Sequence, residues 1–117
     1  MGRDNDQEFV RKLLRRKDKT EALAWLEGNE GRNVGEMSHK ASLALVRRLY
    51  SFGAIEIVAV DISANAGLES TDTLIATLPA DPANRRKLFD WNNEHTRLMG
   101  YEPDVDEGAD HLFIWFD

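Results

Sequence analysis

The chain ends in the stretch "HLFIWFD" (residues 111–117), which decides the fold because it is apolar on both of its faces. Side chains alternate between the two faces of a strand, so three of these residues point one way while Phe113 and Trp115 point the other. Helices of the same chain can cover one face of a sheet that contains this strand. The second face needs another cover, which is either a further segment of the chain or a partner.

Length and composition indicate one soluble globular domain. The chain has 117 residues, 42% hydrophobic and 31% charged, with 3 prolines and 8 glycines, and a domain of this size buries about two thirds of its unfolded surface. It has no cysteine, which excludes disulfides, thiolate metal sites and cysteine nucleophiles. The first residues lack the apolar core of a signal peptide, and no run of apolar residues is long enough to cross a bilayer. We therefore expect a cytoplasmic protein without membrane contact.

Charge divides the sequence into a basic N-terminal segment and an acidic remainder. Residues 1–20 carry a net charge of +3, which leaves −9 for the rest of a chain whose total is −6. Proteins that bind nucleic acid non-specifically do so through basic surfaces that neutralise phosphates, so the acidic remainder argues against nucleic acid as a partner. The basic run over residues 11–19 is interpreted as a solvated helix face, with a basic docking arm as the alternative.

The first 19 residues are predicted to be a basic amphipathic helix that precedes a domain over residues 20–117. Four apolar side chains recur at helical spacing among charges within residues 4–17. They are Phe9, Val10, Leu13 and Leu14. This helix has one apolar stripe to bury.

The next two segments are ambiguous in sequence. In "TEALAWLEG" (residues 20–28), Thr20 could cap a short helix that Gly28 ends, but a short apolar run between turn signals also fits a buried strand, which is the interpretation adopted. "GNEGRNVG" (residues 28–35) has three glycines and is predicted to be a loop. It lacks the Gly-Lys-Ser/Thr of a phosphate-binding loop.

Two helices have clear start signals. Ser38 stands at an N-cap position before an apolar stripe that runs to Phe52, and Asp81 followed by Pro82 begins a helix that continues to Gly100.

The remaining segments are short runs of β-branched or aromatic residues, which favours strands. "AIEIVAVDI" (residues 54–62) is apolar on both faces, and "TDTLIATLP" (residues 71–79) follows a segment predicted to be a turn, "SANAGLES" (residues 63–70), so the two strands should form a hairpin. "HLFIWFD" is the last strand.

From residue 20 the predicted order is strand, helix, strand, strand, helix, strand. This is the βαββαβ order of the ferredoxin-like fold, an α+β two-layer sandwich in which both helices pack on one face of a four-stranded antiparallel sheet of order 4-1-3-2. The N-terminal helix is an addition to it. The other face of the sheet is left to solvent, a ligand or a partner.

Candidate binding residues lie in "WNNEH" (residues 91–95), where His95 is one helical turn from Trp91 on the apolar stripe. Trp91, Asn92 and His95 are therefore weak candidates for a ligand site, with a histidine hydrogen-bonded for packing as the alternative. No metal-binding histidine spacing and no serine nucleophile motif is present, so we expect no metal, no cofactor and no catalytic motif. The acidic stretch "DVDEGAD" (residues 104–110) fails the calcium-loop template and is predicted to be a solvated connection.

The second sheet face supplies the candidate interface. Its predicted apolar residues are Val58, Val60, Phe113 and Trp115. Ferredoxin-like RNA-recognition domains stack bases on aromatics of the two central strands. Here the aromatics fall on an edge strand of an acidic domain, so protein contact is favoured over nucleic acid.

Three blocks carry a family resemblance: "LVRRLYSFGAIEIVAVDI", "LPADPANRRKLFDWNNEH" and "HLFIWFD". They resemble a group of small uncharacterised bacterial proteins, and this resemblance implies no activity. At the level of fold, the predicted order is similar to ACT-type regulatory domains, which bind small molecules at paired interfaces. It is also similar to dimeric α+β-barrel proteins, which enclose a cavity between two sheets. Neither similarity transfers a residue role.

These observations favour a non-enzymatic module for protein interaction or regulation that uses its sheet face or edge, and a homodimer is the simplest form of it. The alternative is a small-molecule-binding domain of the ACT or dimeric α+β-barrel type, which could also have enzymatic activity around His95.

A third arrangement needs no partner. In it the N-terminal helix folds back over the second face, since covering Phe113 and Trp115 is worth several kcal/mol at roughly 25 cal/mol per Å².

Overall fold

The computed structural model describes residues 7–15 and 19–116, which form seven strands in two sheets together with four helices. The elements in chain order are α1 (Gln7–Leu14), β1 (Thr20–Glu21), α2 (Ala22–Glu27), β2 (Arg32–Val34), α3 (His39–Ser51), β3 (Glu56–Val60), β4 (Ser63–Asn65), β5 (Leu68–Thr71), β6 (Thr73–Thr77), α4 (Pro82–Leu98) and β7 (His111–Trp115). No helix in this described part of the chain is long and apolar enough to cross a membrane.

The larger sheet has four antiparallel strands in the order β1-β3-β6-β7. Its register aligns the apolar residues of the three longer strands into rows across the sheet. Val58 lies opposite Ile75, which lies opposite Phe113 on the next strand. Neighbouring residues of a strand point to opposite faces, so the next row along the strands faces the other side of the sheet.

Helices α2, α3 and α4 cover one face of the larger sheet. Each helix contributes buried apolar side chains, and each of the three longer strands contributes the residues that alternate toward them. The buried members of this first core include Trp25, Leu26, Val46, Leu49, Leu88 and Phe89 from the helices and Ile57, Ala59, Leu74, Ala76, Leu112 and Ile114 from the sheet.

Helix α1 covers the opposite face. Its residues Val10 and Leu13 are buried in a second apolar cluster. The sheet residues of that cluster are Val58, Val60, Ile75 and Phe113. The chain therefore covers its own second face, which is the third arrangement considered from the sequence. The predicted helix ends at residues 4–6 and 16–17 lie outside the described residues.

The smaller sheet has the order β2-β5-β4, with β2 parallel and β4 antiparallel to β5. It joins the larger sheet at Thr71, whose side chain is buried. The Thr71 hydroxyl donates to the carbonyl of Val60 and accepts a hydrogen bond of 3.0 Å from the N–H of Thr73. These bonds hold the end of β5 against β3 and the start of β6, so the chain changes sheet within three residues.

The predicted ferredoxin-like βαββαβ fold is wrong, because the described residues form seven strands in two sheets. The first reason lies in residues 20–28, where the predicted strand ends after two residues. The Glu21 carboxylate accepts hydrogen bonds from the N–H groups of Leu23 and Ala24 and so begins helix α2. The helix alternative, ended by Gly28, is the correct one from Ala22 onward, but its N-cap is Glu21 and not Thr20.

The second reason is that two segments predicted to be irregular are strands. Part of the glycine-rich segment forms β2, and the segment predicted to be a turn before β6 forms β4 and most of β5. Strand β7 also pairs with β6 at the sheet edge, so the order is not 4-1-3-2. A two-residue β1 is too short to serve as the central strand that the predicted order requires.

Several individual elements are confirmed. Ser38 Oγ accepts a 3.1 Å hydrogen bond from the N–H of Ala41 at the start of α3, and Asp81 accepts one of 3.0 Å from the N–H of Asn84 at the start of α4. Strands β3 and β6 pair antiparallel as expected, although β4 and β5 lie between them in the chain and the predicted hairpin turn is absent. Strand β7 is a strand as predicted. Local capping and alternation signals were sufficient for these elements.

The Glu21 side chain also connects α2 to α3 and β3. Tyr50 donates a hydrogen bond of 2.6 Å to this carboxylate and accepts one of 2.9 Å from the N–H of Ile57. Burial and the hydrogen bond to Glu21 raise the pKa of Tyr50 to about 12. Burial tends to raise the pKa of Glu21, but the hydrogen bonds from Tyr50 and from the backbone outweigh it and lower that pKa.

The variant Tyr50→Phe should lower the free energy of unfolding by about 1–3 kcal/mol at pH 7, because it removes a partner from the Glu21 carboxylate and from the N–H of Ile57. Wild-type stability should also fall as pH rises from 10 toward 12, because the folded chain holds the Tyr50 proton more tightly than the unfolded chain, whose tyrosine pKa is about 10. Tyr50→Phe should lack this alkaline loss.

Urea unfolding followed by circular dichroism across that pH range measures both effects. Tyr101→Phe is the matched control, since Tyr101 is 46% exposed. The same alkaline loss in Tyr50→Phe and in wild type would contradict the assignment.

Candidate functional site

A cleft of about 410 Å³ opens where the end of β7, helix α4 and the connection from β2 to α3 meet. Most of its exposed wall is apolar, with aromatic and methionine side chains and a single carboxylate. The cleft is lined by Gly35, Glu36, Met37, Leu45, Trp91, His95, Met99 and Phe116.

Helix α4 supplies one wall of the cleft through residues four apart. Trp91 and His95 lie on one face of the helix because this spacing is close to one helical turn, and the C-cap residue Met99 continues that face. The Trp91 and His95 rings are stacked, with centroids 5.1 Å apart and planes 13° apart. The Phe116 ring lies 4.7 Å from the His95 ring. The three rings form a continuous aromatic surface, here called the ring wall (Trp91, His95 and Phe116).

A backbone hydrogen bond fixes the orientation of His95. Its Nε2 lies 2.7 Å from the carbonyl oxygen of Trp115 at the end of β7. A carbonyl oxygen only accepts, so Nε2 is the donor and carries a hydrogen. In the neutral ring Nδ1 then keeps its lone pair and can accept a hydrogen bond. The described lining of this cleft has no hydroxyl, thiol or amine side chain that His95 could activate as a nucleophile.

Gly35 brings the β2–α3 connection against the ring wall. Its φ is +56°, and a β-carbon at this position would lie 3.0 Å from the β-carbon of Phe116. Its N–H donates a hydrogen bond of 2.7 Å to the carbonyl of Thr71. A side chain here would be strained and crowded, so the cleft depends on a glycine at this position.

A second recess of about 450 Å³ adjoins the cleft and shares Gly35, Glu36 and Phe116 with it. Its remaining lining is polar and comes from the segments that join the two sheets. These residues are Asp61, Ser63, Ser70, Thr71 and Asp72. We call it the acidic recess, because three carboxylates line it.

The join between the sheets shapes the acidic recess. The Asp72 carbonyl accepts a hydrogen bond of 2.7 Å from the N–H of Phe116, and its carboxylate accepts one of 3.0 Å from the Thr73 hydroxyl. Asp61 has a φ of +52°, a left-handed conformation that aspartate tolerates better than most residues. The backbone of Asp72 is therefore held at the sheet junction.

Two of the three ligand candidates predicted from sequence are brought together, since Trp91 and His95 line the cleft. Asn92 does not line it. This residue points into the protein interior, is only 1% exposed, and has no hydrogen-bond partner for its side-chain amide within the described residues.

The four predicted interface residues lie elsewhere. Val58, Val60 and Phe113 are buried beneath α1, and Trp115 is half-buried with its ring 5.6 Å from that of Tyr101. Their role in an interface stays a prediction. A partner on this face would have to displace α1 or bind at its margin.

The other two histidines have different surroundings. His39 Nδ1 lies 2.8 Å from the carbonyl of Arg32 and ties the start of α3 to β2. His111 lies on β7, and burial lowers its pKa in spite of the neighbouring Asp110.

The acidic connection after α4 is held in place rather than merely solvated. Arg85 donates two hydrogen bonds to the Asp106 carboxylate, at 2.7 and 2.9 Å, and one to the carbonyl of Ala109. The hydrogen bond from Arg85 lowers the pKa of Asp106. Over residues 7–15 and 19–116, no three acidic or histidine side chains are grouped so as to hold a metal ion.

No protein-family model matches the chain, and neither the search of curated proteins nor the search of solved structures found a match. The function is therefore argued from the chemistry of the cleft.

Sequence reasoning missed the parts of the site that come from distant segments. Gly35 is the last residue of the predicted loop and has no role there, Glu36 is assigned to no element, and Phe116 is assigned to a sheet face. The sequence signal for this part of the site was Gly35, the last residue of the predicted loop. A glycine in a loop does not by itself indicate which distant residue its backbone contacts.

The buried Asn92 amide generates a stability prediction. The variant Asn92→Leu should raise the free energy of unfolding by about 1 kcal/mol, because it replaces an unpaired buried amide with an apolar side chain of similar shape. Asn92→Asp should lower it by several kcal/mol, since it buries a charge. Urea unfolding at pH 7 measures both, and a large loss of stability in Asn92→Leu would contradict the unpaired state of the amide.

Proposed function

We propose that the protein is a small-molecule-binding domain whose ligand places an aromatic ring or other apolar group in the cleft beside the ring wall. The observation that carries the proposal is an open, mostly apolar cleft in which the His95 ring is fixed by the backbone of Trp115. Its volume of about 410 Å³ falls in the range of known ligand sites.

The lining suits such a ligand energetically. The ring wall is oriented before any ligand arrives, so binding costs little side-chain ordering there. Met37 and Met99 complete the lining with flexible, polarisable side chains that adapt to the outline of a ligand. We expect His95 Nδ1, which keeps its lone pair in the neutral ring, to supply a polar contact that orients the ligand.

Binding is favoured over catalysis. A catalytic histidine needs a nucleophile or a substrate group within hydrogen-bond reach. The described lining of the cleft offers His95 one carboxylate, Glu36, and no nucleophilic side chain. A regulatory or carrier role follows more directly from this set of residues than a reaction does.

A protein-interaction role on the α1-covered face is the second candidate. The observation that favours it is the apolar margin of that face, where Phe9 is 43% exposed and packs its ring 5.6 Å from Phe113. A partner of this kind would extend the second cluster rather than occupy the cleft.

The proposal is tested by titrating the protein with indole, quinoline and 2-phenylethanol while following the indole N–H resonance of Trp91 by NMR. Compounds of this size that fit the cleft should bind with dissociation constants of about 1 mM or below. The variant Met99→Glu should weaken binding by about fivefold or more, because it places a charge in the apolar wall.

Leu98→Glu is the matched control, since it adds the same charge at a neighbouring position that is 72% exposed and does not line the cleft. It should leave the affinities within about twofold of wild type. The proposal fails if no compound of the three perturbs Trp91, or if Met99→Glu and Leu98→Glu have the same effect.

A further inference from the structure

We infer that the ligand of this cleft is an aromatic compound with an N–H or O–H group, which donates a hydrogen bond to Nδ1 of His95 while the aromatic ring lies against the ring wall. The inference rests on the proposed function, because it names the ligand class for that same site. It follows from the contacts that already occupy the rest of the His95 side chain.

One nitrogen of His95 is left for a ligand. Nε2 lies 2.7 Å from the Trp115 carbonyl oxygen and donates a hydrogen bond to it, so Nδ1 of the neutral ring is an acceptor. Within residues 7–15 and 19–116, Nδ1 has no hydrogen-bond partner. It is also not one of the buried side-chain atoms that lack a partner there, and so it is accessible from outside the protein. A ligand in the cleft can therefore use it.

Neighbouring rings fix the direction of the Nδ1 lone pair. The Trp91 ring is stacked on the His95 ring with its plane 13° away, and the Phe116 ring lies 4.7 Å from it at an angle of 47°. The hydrogen bond to Trp115 prevents the ring from turning within this arrangement. An acceptor that is oriented in advance loses little freedom on binding, so a donor on the ligand gains most of the value of the hydrogen bond.

An aromatic ligand without a donor is at a disadvantage in this cleft. When it covers Nδ1 it removes this acceptor from water, and an acceptor that is buried without a partner costs free energy. A ligand with an N–H or O–H group supplies the missing partner. Glu36, the one carboxylate of the described lining, also accepts hydrogen bonds and repels anions. A hydrogen-bond donor therefore suits these polar groups better than an aromatic carboxylate does.

Two probes of nearly the same size and shape test the inference. Indole has a ring N–H, whereas benzofuran has an oxygen atom at that position and no donor. Both are titrated at pH 8, where an imidazole ring is neutral, while the indole N–H resonance of Trp91 is followed. We expect indole to bind about three- to tenfold more tightly than benzofuran, because it makes one additional hydrogen bond.

The ¹⁵N resonance of His95 Nδ1 reports the hydrogen bond directly. Long-range ¹H–¹⁵N spectra of the free protein should show the ring hydrogen on Nε2 and none on Nδ1. Saturation with indole should shift the Nδ1 resonance toward that of a hydrogen-bonded nitrogen, and benzofuran should shift it much less. An unchanged Nδ1 resonance in the indole complex would overturn the inference.

The variant His95→Phe locates the effect, because it keeps an aromatic ring in the wall and removes the acceptor. The ratio of the indole affinity to the benzofuran affinity should fall toward one. His39→Phe is the matched control, since a His39 ring nitrogen also lies within hydrogen-bond distance of a backbone carbonyl but His39 does not line the cleft. It should keep the wild-type ratio. If His95→Phe does not fold, the Nδ1 resonance of the wild type decides.

The outcomes separate the two proposals. Equal affinities for indole and benzofuran, both perturbing Trp91, would overturn the donor assignment and leave the proposed function intact. A wild-type ratio in His95→Phe, or the same fall in His39→Phe, would also overturn it, because the preference would then not come from His95. If neither compound perturbs Trp91, both proposals fail.

Discussion

The apolar row formed by Val58, Ile75 and Phe113 is the feature on which the rest of the structure depends. It crosses three neighbouring strands of the larger sheet, and α1 packs on it through Val10 and Leu13. A sheet that is apolar on both faces must be covered on both, since large exposed apolar patches favour association. Helix α1 covers this face, and helices α2, α3 and α4 cover the other face and form the first core with it. Residues of α3 and α4 also line the cleft.

The second organising feature is the abrupt change of sheet around Thr71. Its buried hydroxyl joins β5 to β3 and β6, and the next residue, Asp72, accepts a hydrogen bond from the N–H of Phe116. Gly35 donates to the Thr71 carbonyl from the other side. One short segment therefore positions the ring wall, the boundary with the acidic recess and one of its carboxylates. This is why the cleft and the acidic recess both border the junction of the sheets.

Sequence patterns predicted the helices and strands that have local signals. They did not predict the strands and site residues that depend on contacts between segments far apart in the chain. Strands β3, β6 and β7 are short runs of β-branched or aromatic residues, and α3 and α4 have caps, so these could be predicted. Strands β2 and β4 are three residues each, and β2 pairs in parallel with a segment far along the chain. Trp91 and His95 could be paired through helical spacing, whereas the approach of Gly35 to Phe116 joins positions with no pattern in common. The helix interpretation of residues 20–28 competed with an equally good strand pattern. Its cap was expected at Thr20, whereas the Glu21 side chain is the one that accepts hydrogen bonds from the first N–H groups of the helix.

The most direct test of the account asks whether one chain covers both faces of its own sheet. In a mixture of ¹³C-labelled and unlabelled protein, isotope-filtered NMR separates contacts within a chain from contacts between chains. The account predicts nuclear Overhauser effects from the methyl groups of Val10 and Leu13 to the Phe113 ring within the labelled chain. The same effects between labelled and unlabelled chains would contradict it, because α1 would then cover the sheet of a partner. Their complete absence would contradict it as well.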